Sequence, residues 1–191
     1  MLILASQSPR RAELLRNVGM CFEVRPADVD ESLRQHEEPM KYVMRLAQEK
    51  ALAVLSSTPN GSVVLGADTT VVIDGESLGK PVDEEDARRM LNQLSGRSHQ
   101  VMTGVCVAWR DSKGVVQNDV QVEVTEVEFA RMSAEEIAGY IASGEPMDKA
   151  GAYGIQGKAS RWIPRIRGCY FNVVGLPVAR VCSMLRDAGI V

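Results

Sequence analysis

Short apolar runs and helix-period stretches alternate along this chain from one end to the other, and that alternation constrains the fold more than any other feature of the sequence. Leu2 to Ala5 reads as a short buried strand. Ser8 then caps a helix with Pro9 at its first position, where the missing N–H is not needed; Leu14, Leu15 and Val18 mark its apolar face and Gly19 ends it. A second helix, entered through Pro39, runs from Met40 to Leu55 with the stripe Val43, Leu46, Ala47, Ala51, Val54. Val63 to Leu65 and Thr70 to Ile73 read as strands interrupted by Gly66-Ala67-Asp68-Thr69, and Asp74-Gly75 as a hairpin turn. Asp83 opens a helix with an acidic first turn, which Gly96 closes. Val101–Trp109 and Val115–Phe129 read as long strands joined by Asp111-Ser112-Lys113-Gly114, the second alternating at Val120, Val122 and Val124. Ser133 and Glu136 form a capping box for a helix that Gly144 stops, a Gly-rich loop follows from Asp148 to Gly157, and a last helix runs from Pro177 to Ala188. Strands interleaved with helices predict an α/β protein, with a mixed sheet and helices on its faces. Its 191 residues suffice for one sizeable domain, 1–191, or two closely coupled lobes.

Composition narrows the function classes. The formal net charge is -3, whereas a nucleic-acid binder usually carries a basic excess. Cys21, Cys106, Cys169 and Cys182 form no C-x-x-C pair, and His36 and His99 are the only histidines, so a structural zinc site is not expected. The thiols read as reduced, with Cys106 and Cys182 as small core residues. Met1 to Ala5 is too short for a secretory h-region or a membrane span, which predicts a cytoplasmic protein.

The informative residues are charges where the pattern asks for apolar side chains. In Ser6-Gln7-Ser8-Pro9-Arg10-Arg11 a strand feeds a helix N-terminus, whose free N–H groups suit an anion. Arg10 and Arg11 lie four and three residues before Leu14, near the buried edge of the helix, and arginine forks well onto phosphate. Lys50 sits on the apolar stripe itself, where an ammonium either snorkels out or meets an anion. Asp68 lies inside a run that otherwise reads as buried; Gly66 and Ala67 beside it leave room for something bulky. The run Asp148 to Gly157 has three glycines, which let backbone approach a ligand, and Gln156, whose amide both donates and accepts as reading a base edge requires. Glu31, in Asp28-Val29-Asp30-Glu31, can serve Mg²⁺ as an oxygen ligand, and Lys80 is fixed between Gly79 and Pro81. Together these supply cations for phosphates, carboxylates for a metal and a polar reader, an inventory for phosphoryl chemistry on a nucleotide. No Walker motif or dinucleotide fingerprint accompanies them.

Five segments, Leu4-Ala5-Ser6-Gln7-Ser8-Pro9-Arg10-Arg11, Arg45-Leu46-Ala47-Gln48-Glu49-Lys50-Ala51, Gly66-Ala67-Asp68-Thr69, Gly79-Lys80-Pro81 and Asp148 to Gly157, resemble the Maf family of nucleotide pyrophosphatases in its own order, and Val174-Gly175-Leu176-Pro177 matches as well. The resemblance implies a mixed central sheet with flanking helices and two lobes around a deep nucleotide-binding cleft, of the inosine triphosphate pyrophosphatase kind, usually in a homodimer. It implies cleavage between the α and β phosphates with Mg²⁺ or Mn²⁺. Asp68 matches the catalytic acidic position, and Asp68 and Glu31 are the expected metal ligands; whether Asp68 acts as base, ligand or both stays open. Arg10, Thr69 and Gln156 match positions tied to substrate choice, and Ser8, Arg11, Lys50 and Lys80 complete the substrate-binding set.

The acidic motif and the Ala-Tyr-Gly-Ile-Gln run resemble the branch acting on dTTP and UTP. The 7-methyl-GTP branch tends to have Ser-Asp-Gln at the acidic motif and lacks that run. A single amide can satisfy the O4 and N3–H edge that uracil and thymine share, and cytosine reverses part of it. Two rivals remain at this stage. A nucleotide-binding regulator of cell division would need the pocket but not Asp68 and Glu31. A nucleic-acid binder would use Arg161, Arg165 and Arg167 around Trp162 as a stacking platform.

Overall fold

A computed structural model describes residues 1–189; the last two positions of the expected 1–191 domain lie outside the described residues. The strands are β1 (Leu2–Ala5), β2 (Phe22–Val24), β3 (Val63–Ile73), β4 (Glu76–Leu78), β5 (Ser98–Arg110), β6 (Val116–Glu128) and β7 (Arg165–Arg167). The helices are α1 (Pro9–Asn17), α2 (Pro39–Ser56), α3 (Glu84–Leu94), α4 (Ala134–Ala142), α5 (Tyr170–Val174) and α6 (Val178–Asp187). The sheet has seven strands in the order β2-β1-β3-β5-β6-β7, with β4 also on β3. It is mixed, as expected: β1 runs parallel to β2 and β3, while β3–β4 and β6–β7 are antiparallel. None of the helices among the described residues is long and apolar enough to cross a membrane.

Most elements form where local chemistry places them. Asp83 caps α3 by accepting from the Asp86 N–H, and Ser133 and Glu136 make the reciprocal capping box of α4. Asp74 and Gly75 both take positive φ, which the tight β3–β4 turn requires. Ser8 occupies the N-cap of α1, but its hydroxyl does not cap; instead its N–H donates to Ser6 Oγ at 3.2 Å. The apolar face of α1 is Ala12, Leu14 and Leu15; Val18, expected there, is half exposed at the helix end.

Two compact units divide the chain. The first comprises Met1–Asp68, Thr103–Glu123 and Gly175–Val191; the second comprises Thr69–Met102 and Val124–Val174. The core of the first packs Ile3, Ala5 and Val64 with Ala47, Ala51, Val54 and Leu55 of α2, and with Cys106 and Ala108. Cys182, expected to be core, is only half-buried. The core of the second gathers Val71, Ile73, Leu91, Leu94, Val127, Phe129, Ile137 and Trp162 among others. Along β6 the expected alternation at Val120, Val122 and Val124 is displaced: those three are half-buried, and the buried positions are Thr125, Val127 and Phe129.

β3 also departs from expectation. Gly66 to Thr69 does not interrupt it; the strand runs unbroken for 11 residues. Nor do Gly66 and Ala67 leave room for a ligand. A Cβ on Gly66 would collide with the Ala47 carbonyl and the Ala51 backbone N of α2, so the glycine is there to let a helix lie on the strand. Gly104 of β5 does the same beneath the Val43 carbonyl.

Candidate active site

The first unit brings four of the expected residues together. Lys50, on the buried face of α2, extends its ammonium to Asp68 Oδ1 at 2.7 Å and Glu31 Oε1 at 2.6 Å. Lys50 and Asp68 are each 8% exposed, so neither charge is solvated as a surface pair would be. The choice left open by the sequence resolves: the ammonium meets anions rather than snorkelling. Glu31 differs, with a side chain 56% exposed, so one carboxylate of the trio is buried and the other is wet.

Arg11 stands at the start of α1 and reaches the same strand. Its Nη1 donates to the Ala67 carbonyl at 3.0 Å and to Ser6 Oγ at 3.1 Å, and its Nε donates to the Gly175 carbonyl at 2.8 Å. Three acceptors hold the guanidinium fork in one orientation. Burial lowers its pKa, opposed by the nearby Asp68 and reinforced by Arg10. Arg10 is half-buried on the same first turn. The first unit thus holds three cations, Arg10 and Arg11 at the α1 N-terminus and Lys50 on α2, and two carboxylates, Asp68 and Glu31, that meet the last of them.

Sequence reasoning missed two residues here. Ser6 is buried at the end of β1 and orients Arg11; a hydroxyl in a buried strand end was the available signal. Tyr42, one turn before Arg45 on α2, donates its Oη–H to the Glu31 carbonyl at 2.9 Å; burial pushes its pKa up to about 12, with Asp68 and Glu31 adding to the shift.

The second unit carries Thr69, Lys80 and Gln156. Thr69 is half-buried on β3, Lys80 is exposed after β4, and Gln156 is exposed. The Gly151 N–H donates to the Gly79 carbonyl at 3.0 Å, so the Lys80 motif and the Gln156 loop are neighbours. That loop does not use its glycines to bring backbone close to a ligand, as the sequence suggested. It folds into short 3-10 turns at Glu145–Asp148, Ala150–Ala152 and Lys158–Trp162, with Gly151, Ala152, Tyr153 and Ile155 buried. Its glycines face protein: a Cβ on Gly151 would meet Val71, one on Gly154 the Lys149 side chain, and one on Gly157 the Glu145 carboxylate. Tyr140 Oη joins the ends, accepting from the Gly154 N–H and donating to Glu145 Oε1 at 2.9 Å, while Glu145 accepts from the Lys158 N–H. Trp162 is buried with its Nε1 on Glu136, so its ring offers no stacking surface for a nucleic acid.

Asp68 and Glu31 converge on a single ammonium and offer only hard oxygen donors. That donor set fits Mg²⁺ or Mn²⁺, which take one or two carboxylates and complete their shell with water and substrate phosphates. Among the described residues no group of three or more His, Cys, Asp or Glu forms a closed metal cage.

A mixed α/β sheet with flanking helices is a fold this chain shares with the Ham1 protein of Staphylococcus aureus, at a TM-score of 0.55 over 98% of both chains and only 14% identity. The family model described as Maf-like protein matches residues 1–188, and the chain belongs to the Maf family. Among its relatives, a protein of Koribacter versatilis named dTTP/UTP pyrophosphatase is 56% identical over 99% of this chain and 95% of its own length. One of Anaeromyxobacter dehalogenans with the same name is 54% identical over 98% and 94%.

Proposed function

We propose that this protein hydrolyses dTTP and UTP to the nucleoside monophosphate and pyrophosphate, as a single domain that acts in the cytoplasm as a homodimer and without nucleic acid. The observation that carries the reading is the Glu31–Lys50–Asp68 cluster beside Arg11 at a helix N-terminus, in a chain more than half identical to proteins named for that reaction.

Asp68 is the base: its carboxylate, oriented by the 2.7 Å bond from Lys50, takes a proton from the attacking water. A divalent cation held by Asp68 and Glu31 supplies Lewis-acid polarisation of phosphoryl oxygens when bound. Arg10, Arg11, Lys50 and Lys80 balance the charge that develops on the phosphoryl group and leaving pyrophosphate, with Ser8 on the same turn as the two arginines. Thr69 and Gln156 select the base, the amide of Gln156 pairing with the O4 and N3–H edge.

The test is a panel of triphosphates with Mg²⁺. We expect dTTP and UTP to be consumed well ahead of CTP, ATP, GTP and 7-methyl-GTP, with pyrophosphate rather than orthophosphate released. Asp68→Asn should lower kcat by about two orders of magnitude or more while the protein stays folded. Release of orthophosphate and a nucleoside diphosphate would exclude the proposed bond. Equal rates across the panel would exclude the base assignment, and near-normal turnover of the Asn variant would remove Asp68 from its role.

A further inference from the structure

Between β2 and α2 the chain runs from Arg25 to Glu38, fourteen residues, without strand or helix. Glu31 sits in the middle of that stretch. A connection of this length normally leaves its side chains free to wander, and loops so long without internal structure are uncommon unless they serve a function. Yet Glu31 meets Lys50 at 2.6 Å although its side chain is more than half exposed. Burial does not hold it there, so something else must.

Arg45 is the group that does. It lies on α2, one turn and a residue before Lys50, inside the same motif. Its Nε and Nη2 fork onto the two Glu37 oxygens at 2.6 and 2.7 Å, and its Nη1 reaches Glu49 at 3.1 Å. Its Nη2 also donates to the Ser32 carbonyl at 3.1 Å, the residue next to Glu31. One guanidinium therefore grips the stretch at both ends of its 32–37 segment. The Arg45 and Glu37 side chains are only 12% and 10% exposed, unlike the outer pair Arg34–Glu49, in which Arg34 is 65% exposed. Arg45 holds the Glu37 carboxyl down to about 2, so the fork stays charged well into acid. The Arg45 guanidinium also lies 5.6 Å from the centre of the Tyr42 ring, whose hydroxyl bonds the Glu31 carbonyl. Turns made by Asp30 on the Ser32 N–H and by Glu37 on the Arg34 N–H stiffen what lies between.

We propose that Arg45, with Tyr42 beside it, is a positioning residue: it fastens the 31–37 segment to α2 and so sets the Glu31 carboxylate against Lys50 and next to Asp68. This rests on the reading of Glu31 as a working carboxylate of the site. Lysine could not replace it, since a single ammonium cannot fork Glu37 and reach Ser32 together.

The test is a double-mutant cycle of Arg45→Met and Glu31→Gln on the full chain, with Glu37→Gln as a second way to open the fork should Arg45→Met fold poorly. Two readouts are taken: kcat/KM for dTTP with Mg²⁺, and Mn²⁺ affinity of the protein alone from the loss of the free-ion resonance. Arg45→Met should lower kcat/KM about tenfold and weaken Mn²⁺ binding by a similar factor. In the Glu31→Gln background it should change both less than threefold, because the carboxylate it positions is gone. A contact that merely stabilised the fold would act equally in both backgrounds, and multiplying effects would overturn the proposal. If Glu31→Gln moves both readouts while Arg45→Met and Glu37→Gln move neither, the positioning role fails and the reading of Glu31 stands. If Glu31→Gln moves neither, that reading fails and takes the inference with it.

Discussion

The site on α2 and the loop from Glu145 to Lys158 were both marked by unusual residues, and they satisfy them in opposite ways. On α2 the odd residues are charges, and charge answers charge: Lys50 with Asp68 and Glu31, Arg45 with Glu37 and Glu49. In the loop the odd residues are glycines, and protein fills the space each one leaves. The contrast extends to how the neighbours could yield. Gly66 under α2 faces helix backbone, which is fixed by its own hydrogen-bond ladder. Gly157 faces the end of the Glu145 side chain, which can swing. A glycine in a functional segment is thus no sign of flexibility, and what it touches decides how firmly the segment is held.

The widest gap should appear at Gly66. Gly66→Ala drives a methyl into the Ala47 carbonyl and Ala51 backbone N, and we expect a loss on the order of 4 kcal/mol in urea unfolding. A loss under about 1 kcal/mol would show that α2 can lift off the strand, and the contrast with the loop would disappear. Acid separates the regions next. His99, in the second unit, lies 2.8 Å from Tyr153 Oη with Nδ1 buried and without a hydrogen-bond partner, and burial lowers its pKa from 6.5 to about 4. The folded state therefore favours the neutral ring. Its contribution is complete above pH 6.5 and is lost as pH falls through 4, because the unfolded chain takes up the proton first. Stability should fall by on the order of 2–3 kcal/mol across that window, and His99→Phe should flatten the slope. The Arg45–Glu37 fork follows the same sign in a lower window, from about 4.5 down to about 2, so an unchanged slope between pH 6.5 and 4 in His99→Phe would show that His99 is not the group responsible. The smallest effect belongs to Gly157→Ala, which needs only Glu145 to shift. We expect less than about 1 kcal/mol in urea. A loss matching that of Gly66→Ala would mean that Glu145, bonded to Tyr140 and Lys158, is as immovable as backbone.

Much of this was legible in the sequence because its causes are local. Caps at Asp83 and Ser133, the Asp74-Gly75 turn and the stripe of α2 depend on residues a few positions apart, and the structure follows them closely. Lys50 and Asp68 stood out for the same reason, as charges inside short apolar patterns. What escaped was whatever depends on a partner distant in the chain. Gly66 looked like a break in a strand because the helix resting on it comes from residues 47–51. Ser6 needed Arg11 in place, and Arg45 needed Glu37 folded back onto it. The displaced alternation on β6 belongs here too: residues 119–124 are all half-buried, and buried positions begin only at Thr125, beside the point where the chain passes from the first unit to the second. A single period cannot describe a strand that serves two cores.

Gly66 and Gly104 bring the backbone of α2 down onto two strands, at Ala47–Ala51 and at Val43–Met44, one contact on either side of Arg45. Side chains wear with evolutionary time; peptide groups do not. A helix seated on side chains would shift by a fraction of an ångström whenever a valine became an isoleucine, and the shift would pass down the helix to whatever it carries. Seated on peptide groups, α2 keeps the same datum whatever its exposed residues become. The ammonium of Lys50 is then indexed to the sheet by backbone contacts that hold as long as both positions stay glycine, so descendants of this chain can drift across the exposed helix surface while the charge it presents stays where it was.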